Sequence, residues 1–334
     1  MEAEIKITRS QKPFFKTYVV YPIQLVLAVP FCVLFRILPL DVCSAVGGFL
    51  GRHIGPRLKV SWIARYNLMR AFPEKTPAEI DRIVVDMWDN LGRTFLEYPH
   101  LRQIVTKMHD RIDVVHPENA AVLHGETKQP VIMVGGHLGN WEVSSAFGNI
   151  NNVAIHRVYR FANNPLTEWL FRYYRKKTPG ELLPKGVPSM RRIVWLLRQK
   201  EMLGLIVDQK MNKGLAVSFF GRDAMTTPST AHLALKFNCP LLFVRSERMK
   251  GAHYRLTVEA PLYFEKTGDE DADIMRLLTT VNGVFERWIR DDPKQWLWLH
   301  KRWPDSKDGT KWLYERRRQW KKGVVPTDLP DGLK

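Results

Sequence analysis

The sequence predicts an α/β fold in which a mixed, largely parallel sheet is flanked by helices and preceded by an N-terminal hydrophobic membrane-anchoring helix. Three observations predict it. Short apolar runs alternate with amphipathic helical patterns, an apolar segment of membrane-spanning length lies near the N-terminus, and 45% hydrophobic residues among 334 are enough for a large core. The predicted divisions are a membrane anchor over 1–35, an α/β domain over 36–305 and a basic tail over 306–334.

The anchor prediction rests on residues 18–35, which are apolar apart from Gln24. Their number is at the lower limit for crossing a bilayer, and Pro22 and Pro30 would bend a helix, so a spanning helix competes with a re-entrant or interfacial one. Cations flank the segment, and by the positive-inside rule those that follow it keep the body of the protein cytoplasmic. Lys12 and Lys16 precede the segment. The cations that follow it are Arg36, Arg52, Arg57, Lys59, Arg65 and Arg70.

Glycines and prolines cluster between 36 and 60, which predicts a linker between the anchor and the body, with packing on the membrane as the alternative. After it, apolar residues recur every three or four positions over 76–95, the pattern of an amphipathic helix. Thr76, Pro77 and Glu79 form a capping-box sequence that predicts where this helix begins.

Strands and helices are predicted to alternate through the rest of the body. The apolar runs predict strands at 131–134, 153–158, 203–207, 217–220, 241–244 and 254–258. The helical patterns between them predict helices at 142–150, 165–176, 188–199, 230–238 and 272–290. Alternation of this kind favours parallel neighbours within one sheet.

The C-terminal segment combines aromatic side chains with a run of cations. Trp312, Leu313 and Trp320 supply the apolar part, and the pattern suits contact with an anionic membrane surface, with a solvated basic tail as the alternative. The cations are Arg316, Arg317, Arg318, Lys321 and Lys322.

Charge and cysteine content narrow the function classes. Lysine and arginine number 51 against 34 aspartates and glutamates, so the net charge of +17 selects anionic partners: nucleic acid, acidic lipid or an acidic protein. We predict no nucleic-acid partner, because the chain has no zinc-finger spacing, aromatic RNA-binding motif or P-loop. Three cysteines without CxxC spacing predict neither a disulfide framework nor a metal site.

The segment VIMVGGHLGNWE, residues 131–142, carries the candidate chemistry. His137 and Glu142 are five residues apart, which on a regular helix would point them about 140° away from each other. If the glycines turn the chain, His137 lies in a loop and the Glu142 carboxylate can reach one imidazole nitrogen, leaving the other to accept a proton. The alternative is a histidine that bonds the backbone of its turn and a glutamate exposed to solvent.

In its surroundings the motif resembles the lipid A late acyltransferases, the lauroyl and myristoyl transferases of the lysophospholipid acyltransferase superfamily. Further segments agree with that family in order, so that the resemblance runs from the anchor to about residue 305. They are Asn67-Leu68, Ala71-Phe72-Pro73-Glu74, Val158-Tyr159-Arg160, Asn164-Pro165-Leu166, Asp208-Gln209, Phe219-Phe220-Gly221 with Ala224 and Thr227, and Trp298-Leu299-His300-Lys301-Arg302.

The resemblance implies that His137 is the general base and Glu142 its partner. The implied reaction transfers a fatty acyl group from acyl carrier protein to a hydroxyl of a lipid A precursor, the secondary acylation of lipopolysaccharide synthesis, without an acyl-enzyme intermediate. No cofactor is implied beyond the acylated carrier protein as co-substrate. The implied partners are the carrier protein, the anionic glycolipid and the membrane, and the implied location is the bacterial inner membrane with the catalytic domain facing the cytoplasm.

Weaker expectations attach to other matching residues. Arg160 is expected either to stabilise the oxyanion or to hold a substrate phosphate, since a guanidinium suits both tasks. Asp208 is expected to orient Arg160 or a substrate group, with a helix cap or a buried structural pair as the alternative. His300 is expected to pack or to lie at an interface rather than to take part in catalysis. Lys301 and Arg302 are expected to meet an acidic carrier or a phosphate.

Two alternatives stay open at this point. The base motif serves the whole superfamily, so the acceptor could be another phospholipid or glycolipid, such as a lysophospholipid, a mannosylated inositol lipid or an ornithine lipid. The glutamate at 142 favours the glycolipid branch. The alternative of another class is a non-enzymatic basic protein that binds membranes or nucleic acid, which only the charge supports.

Overall fold

Five α-helices precede the first strand in the computed structural model, which describes residues 16–124, 129–175, 178–330 and Leu333. The part of the predicted anchor before residue 16 and the last residue of the helix predicted at 165–176 lie outside the described residues. The five helices are α1 (Tyr21–Ile37), α2 (Leu40–Ile54), α3 (Ser61–Ala71), α4 (Pro77–Glu97) and α5 (Leu101–Lys107).

Strands and helices then alternate as predicted, with short connections. In chain order they are β1 (Ile112–Val115), β2 (Ile132–Gly135), α6 (Ala146–Ile150), β3 (Ile155–Tyr159), α7 (Pro165–Arg175), β4 (Leu182–Pro184), α8 (Val187–Arg198), β5 (Met202–Ile206), β6 (Leu215–Phe219), β7 (Arg222–Thr226), α9 (Ser229–Phe237), β8 (Leu241–Arg248), β9 (Tyr254–Val258), α10 (Glu270–Asp291), α11 (Ser306–Glu315) and α12 (Arg317–Lys321).

The main sheet has seven strands in the order β1-β9-β8-β2-β5-β3-β4. Strands β8, β2, β5, β3 and β4 run parallel, whereas β9 is antiparallel to β8. The predicted fold class, a mixed and largely parallel sheet flanked by helices, is confirmed. The strand predicted at 217–220 belongs instead to the separate β6–β7 hairpin, and β1, β4 and β7 were not predicted.

The insertion of β5 between β2 and β3 determines where chemistry can occur. The chain passes from β2 to β3 and β4 and then returns, so that β5 pairs in parallel with both β2 and β3. Its register sets Gly135 beside Ile206, which brings the carboxyl ends of β2 and β5 together near the centre of the sheet. Ligand sites in open α/β sheets lie at such reversals of strand order.

The capping-box prediction is confirmed at the start of α4. The Thr76 hydroxyl accepts a hydrogen bond from the Glu79 backbone N–H, and the Glu79 carboxylate accepts one from the Thr76 backbone N–H at 2.8 Å. Pro77 occupies the first helical position, where its missing N–H is no loss. The helix therefore begins as predicted and runs to Glu97, two residues beyond the predicted end.

The linker prediction over 36–60 is wrong, because most of this segment is helix α2, packed closely against α4. The glycines that suggested a linker lie in the contact between the helices. A β-carbon added at Gly47 would lie 2.8 Å from the Gly92 carbonyl carbon, and one at Gly51 would lie 2.8 Å from the Trp88 carbonyl carbon. Glycine is used here because the two backbones approach more closely than any side chain would allow.

Replacing Gly92 by alanine is expected to lower the free energy of unfolding by about 1–3 kcal/mol, because the added methyl group would overlap the Gly47 backbone. Gly283 is the matched control, since it lies in α10 with no atom within 4 Å of an added β-carbon. Gly283→Ala is expected to be neutral or to stabilise by up to about 1 kcal/mol. Urea unfolding of both variants measures the difference, and equal stabilities would contradict the proposed helix contact.

The C-terminal aromatics were expected at a membrane surface, and that expectation is wrong. Trp312 and Trp320 are only 5% and 2% exposed, and Leu313 is fully buried in the main core. The Trp62 ring of α3 packs edge-on against Trp320, with ring centroids 6.4 Å apart. Helices α11 and α12 therefore complete the core, and the cations that surround these aromatics in the sequence lie on the outer side.

Candidate active site

A histidine–aspartate pair stands at the carboxyl ends of the two central strands. His137 follows β2 and Asp208 follows β5, and the register of these strands brings the two residues side by side. The His137 Nδ1 atom lies 2.8 Å from Asp208 Oδ1, and Asp208 Oδ2 accepts hydrogen bonds from the His137 backbone N–H at 2.8 Å and from Trp296 Nε1 at 2.7 Å. Asp208 is completely enclosed, whereas the His137 side chain keeps 16% of its surface exposed.

The charge state of Asp208 fixes the tautomer of His137. Burial alone would raise the pKa of Asp208, but the charge of His137 and the hydrogen bonds from it hold that pKa below its ordinary range. Asp208 is therefore a carboxylate, which can only accept hydrogen bonds. Nδ1 must therefore carry a proton in either form of His137, and in the neutral imidazole Nε2 is left with the lone pair.

The Glu142 carboxylate binds Arg175 and the His137 Nδ1 atom binds Asp208, so the prediction that this carboxylate reaches an imidazole nitrogen is wrong. Gly139 adopts a left-handed conformation (φ +51°), after which the chain enters a short 3₁₀ helix, Trp141–Ser145, that carries Glu142 away from the imidazole. Its carboxylate forms a two-pronged ion pair with Arg175, with Nε 3.0 Å from Oε2. A catalytic role for Glu142 therefore stays a prediction, and such a role would have to act through Arg175.

Arg175 is held in an aromatic enclosure at the end of α7. Its guanidinium lies 5.8 Å from the ring centroids of Tyr98 and Tyr159 and 5.9 Å from that of Phe171. Burial would lower the pKa of Arg175, but the Glu142 carboxylate outweighs this and raises it. The Arg175 guanidinium is therefore charged and is held beside the motif that carries His137.

Gln209 and His300 lie beside His137, although the sequence predicts packing or an interfacial position for His300. The Gln209 side-chain amide nitrogen lies 2.9 Å from His137 Nε2 and 3.0 Å from His300 Nε2. Burial, together with the neighbouring His137, lowers the pKa of His300 to about 4, so that this imidazole is neutral. The same amide nitrogen also lies 3.4 Å from His137 Nδ1, so it sits beside the imidazole ring and not in line with the Nε2 lone pair.

The low pKa of His300 predicts a pH dependence of stability. Its folded pKa of about 4 lies below the unfolded value of about 6.5, so the unfolded chain takes up this proton first as the pH falls. The stabilising contribution is complete above about pH 6.5 and is lost as the pH falls toward about 4. Between pH 7 and pH 5, wild-type protein is expected to lose more unfolding free energy than His300→Gln. The exposed His232→Gln is the control, and parallel curves for all three proteins would refute the prediction.

A buried polar network clamps the loop after His137 from behind. Glu97 and Arg248 form an ion pair at 2.5 Å, with side chains 0% and 7% exposed. Arg248 Nε also donates to Asn90 Oδ1 at 2.8 Å, while Asn90 Nδ2 donates to the Gly139 carbonyl at 2.9 Å. Asn140 Nδ2 donates to Glu97 at 2.8 Å. The backbone of the loop is thus tied to α4 and β8, and Tyr254, Thr94 and the Gly251 carbonyl complete the hydrogen bonds of the Glu97–Arg248 pair.

Arg160, the candidate for binding the oxyanion or a substrate phosphate, forms no ion pair with Asp208 among the described residues. Arg160 is exposed at the end of β3 and, within the described chain, forms no ion pair; continuing the register of β3 with β5 sets it beside Val207. Asp208 is occupied by His137 and Trp296, so the expectation that Asp208 orients Arg160 is wrong.

Arg302 cannot meet a carrier protein, so that expectation is also wrong. Its side chain is 1% exposed and donates to the Met225 carbonyl and, at 2.9 Å, to the Thr226 hydroxyl. Burial lowers its pKa to about 10. Lys301 beside it is exposed and free to meet an anion. Among the described residues, no cluster of three His, Cys, Asp or Glu side chains could hold a metal ion.

Comparison with known proteins identifies the family of the chain. The model of a family described as bacterial lipid A biosynthesis acyltransferase matches residues 12–305. The chain is 25% identical over 284 residues to a lipid A biosynthesis acyltransferase of Haemophilus influenzae, covering 81% of this chain and 88% of that protein. It is 25% identical over 288 residues to a lipid A biosynthesis palmitoleoyltransferase of Escherichia coli K12, covering 83% and 90%.

Two further similarities extend the comparison. A lipid A biosynthesis lauroyltransferase of Escherichia coli K12 is 24% identical over 286 residues, covering 81% of this chain and 88% of that protein. Among solved structures, the 1-acyl-sn-glycerophosphate acyltransferase of Thermotoga maritima covers 70% of this chain and 98% of its own, with 13% identity and a TM-score of 0.32. A TM-score of that size supports no functional comparison.

Proposed function

The chain belongs to the bacterial lipid A biosynthesis acyltransferase family, and we propose that it transfers a fatty acyl group from acyl carrier protein to a hydroxyl of a lipid A precursor. As a member of this family it is an acyltransferase of lipid A biosynthesis; the donor, the acceptor group and the mechanism are the proposal. The observation that carries the mechanism is the His137 imidazole, held through Nδ1 by the buried Asp208 carboxylate with Nε2 directed away from it.

The reaction proceeds by direct attack of the acceptor. The acceptor hydroxyl gives its proton to His137 Nε2 as its oxygen bonds the thioester carbonyl carbon. The resulting imidazolium is stabilised by Asp208, as in a catalytic triad. The tetrahedral oxyanion collapses, the carbon–sulfur bond breaks, and the leaving thiolate takes the proton from His137. The Gln209 side-chain amide, whose nitrogen lies 2.9 Å from His137 Nε2, is our choice for an oxyanion donor.

Charged groups around the base have separate parts in the proposal. Glu142 acts by holding Arg175 beside the motif, so it is a positioning residue in this mechanism. Arg160, exposed at the end of the neighbouring strand, contacts the anionic group of a substrate. The net charge of +17 steers both the acidic carrier protein and the phosphorylated acceptor toward the enzyme.

The proposed location of the protein is the bacterial inner membrane. Among the described residues, Thr17–Ile37 is the one helical stretch that is long and apolar enough to cross a membrane, which is consistent with association with the bacterial inner membrane. We place the catalytic domain on the cytoplasmic side, because the cations that follow the anchor obey the positive-inside rule there and the carrier protein is cytoplasmic.

The test uses purified full-length enzyme in detergent, with acylated carrier protein as donor and the lipid A precursor as acceptor. Wild-type enzyme is expected to add one acyl group by mass spectrometry, and His137→Ala to lower the rate by about 10⁴-fold or more. The exposed His232→Ala is the control and is expected to retain full activity. Transfer by His137→Ala at the wild-type rate, or a stable acyl group on the enzyme itself, would refute the mechanism.

The acceptor is tested in cells. Deletion of the gene is expected to remove one secondary acyl chain from lipid A, seen as a mass loss, and reintroduction of the wild-type gene to restore it. Unchanged lipid A accompanied by a change in a lysophospholipid, ornithine lipid or mannosylated inositol lipid would refute the lipid A acceptor and name the other one.

A further inference from the structure

Helix α7 turns an aromatic face outward. Leu166, Trp169 and Tyr173 follow one another at helical spacing and are 40%, 64% and 48% exposed. The Trp169 and Tyr173 rings stack with centroids 6.1 Å apart. On the inner face, the buried Glu168 carboxylate accepts hydrogen bonds from the Tyr159 hydroxyl and the Ala162 N–H. A stacked aromatic pair exposed to water is unfavourable, and such faces mark contact with a partner or a membrane.

Helix α1 lies alongside α7 and runs in the same direction. Before the first turn of α7, Asn164 Nδ2 donates to the Tyr21 carbonyl at 3.1 Å and to Gln24 Oε1 at 3.0 Å. At the far end of α7, Tyr174 lies beside Cys32. The side of α1 turned away from the body is apolar and exposed, so the two helices present neighbouring apolar faces. The exposed α1 residues include Ile23, Val26, Phe31, Val33, Leu34 and Ile37.

Cations border these faces. Arg36 at the end of α1 and Arg172 on α7 are exposed, and the Arg102 guanidinium of α5 lies 6.0 Å from the Tyr173 ring. In the described part of the chain, none of the three arginines forms an ion pair with an acid. Aromatic rings with unpaired cations beside an apolar helix complement the headgroup region of an anionic bilayer.

The position of α7 in the fold ties this surface to the site. Helix α7 begins five residues after Arg160, the residue that follows β3, and therefore starts at the edge of the sheet where His137 and Asp208 lie. Its last residue is Arg175, the partner of Glu142. A bilayer in contact with α7 would consequently adjoin the edge at which acyl transfer is proposed, where a membrane-embedded acceptor must arrive.

We propose that the outer faces of α1 and α7 form one surface that rests on an anionic bilayer, with Trp169 and Tyr173 inserted at the headgroup level. The surface deepens the proposed function, since its use in catalysis rests on a lipid acceptor. It replaces the C-terminal aromatics, whose burial excludes them from this task. The charged residues of α7 restrict it to the interface, because the hydrocarbon interior would not solvate them.

Tryptophan fluorescence tests the contact without reference to activity. The chain has 11 tryptophans, of which Trp169 and Trp195 are the two strongly exposed ones, and Trp195 lies on α8. Wild-type protein is reconstituted into phosphatidylglycerol vesicles with and without brominated acyl chains. We expect Trp169→Phe to lose most of the fluorescence component that bromine quenches, and Trp195→Phe to retain it. Equal quenching of wild-type protein and Trp169→Phe would overturn the proposal.

A kinetic comparison tests the use of this surface. For the double variant Trp169→Glu/Tyr173→Glu, transfer to acceptor embedded in anionic vesicles is expected to fall about tenfold, with a change of less than about twofold in detergent micelles. Trp195→Glu is the matched control and should be unaffected in both assays. An equal fall in both assays, or no fall in vesicles, would overturn the proposal. If wild-type enzyme itself shows no transfer in either assay, the proposed function fails, and the quenching result still decides the membrane contact.

Discussion

Replacing Asp208 by asparagine is expected to lower the turnover of acyl transfer by about a thousandfold or more while the fold is retained. The amide has the shape of the carboxylate, but it cannot accept hydrogen bonds with both of its ends. It would either lose the Trp296 and His137 backbone bonds on Oδ2 or present an N–H to His137 Nδ1. In the second case the imidazole carries its proton on Nε2 and can no longer act as a base.

The same experiment decides between the two carboxylates. Glu142→Gln leaves the His137–Asp208 pair untouched and weakens only the hold on Arg175. We therefore expect its turnover to fall less than that of Asp208→Asn. Asp223→Asn is the control, because Asp223 is exposed on β7. Near-normal turnover of Asp208→Asn, with a severe loss in Glu142→Gln, would restore Glu142 as the direct partner of the base. Circular dichroism and thermal unfolding of each variant show whether folding is preserved.

The site illustrates which contacts a sequence can predict. The loop position of His137 could be predicted, because an apolar strand followed by glycines ends at a sheet edge. Its partner could not be predicted from spacing, because Asp208 lies 71 residues away and arrives only through the pairing of β2 with β5. A local search for an acid finds Glu142, which the turn at Gly139 carries elsewhere. The usable signal was that Asp208 also follows an apolar run.

In the fold, too, local sequence patterns predicted some elements, whereas others depend on contacts between distant segments. Apolar runs located the central parallel strands because these are buried on both faces, and the capping box located the start of α4. Helix α2 was not predicted, because glycine lowers helix propensity in isolation, whereas here it permits a close contact with α4 that only the folded chain reveals. The C-terminal tryptophans were misassigned because neighbouring cations dominate the local pattern, while burial depends on α3, far away in the sequence.

The largest effect on stability is expected at the buried Glu97–Arg248 ion pair behind the loop that carries His137. Arg248→Met keeps most of the side-chain volume but leaves the Glu97 carboxylate buried without its cation. We expect the free energy of unfolding to fall by about 3–5 kcal/mol, the usual result of breaking a buried pair. Activity should fall as well, because Asn90 and Asn140 then lose the network that holds the Gly139–Asn140 backbone.

Two further variants test whether the loss in Arg248→Met comes from the unpaired buried charge. Arg255→Met breaks an exposed pair with Asp113, whose side chains are 38% and 60% exposed, and should cost less than about 1 kcal/mol. The double variant Glu97→Gln/Arg248→Met also removes the unpaired Glu97 charge and should restore part of the lost stability. The remaining cost is then that of burying neutral polar groups without all of their hydrogen bonds. Chemical unfolding at pH 7 measures all three proteins against wild type. If Arg248→Met and Arg255→Met cost the same, the pair does not support the loop, and the geometry of His137 must be maintained by the sheet alone.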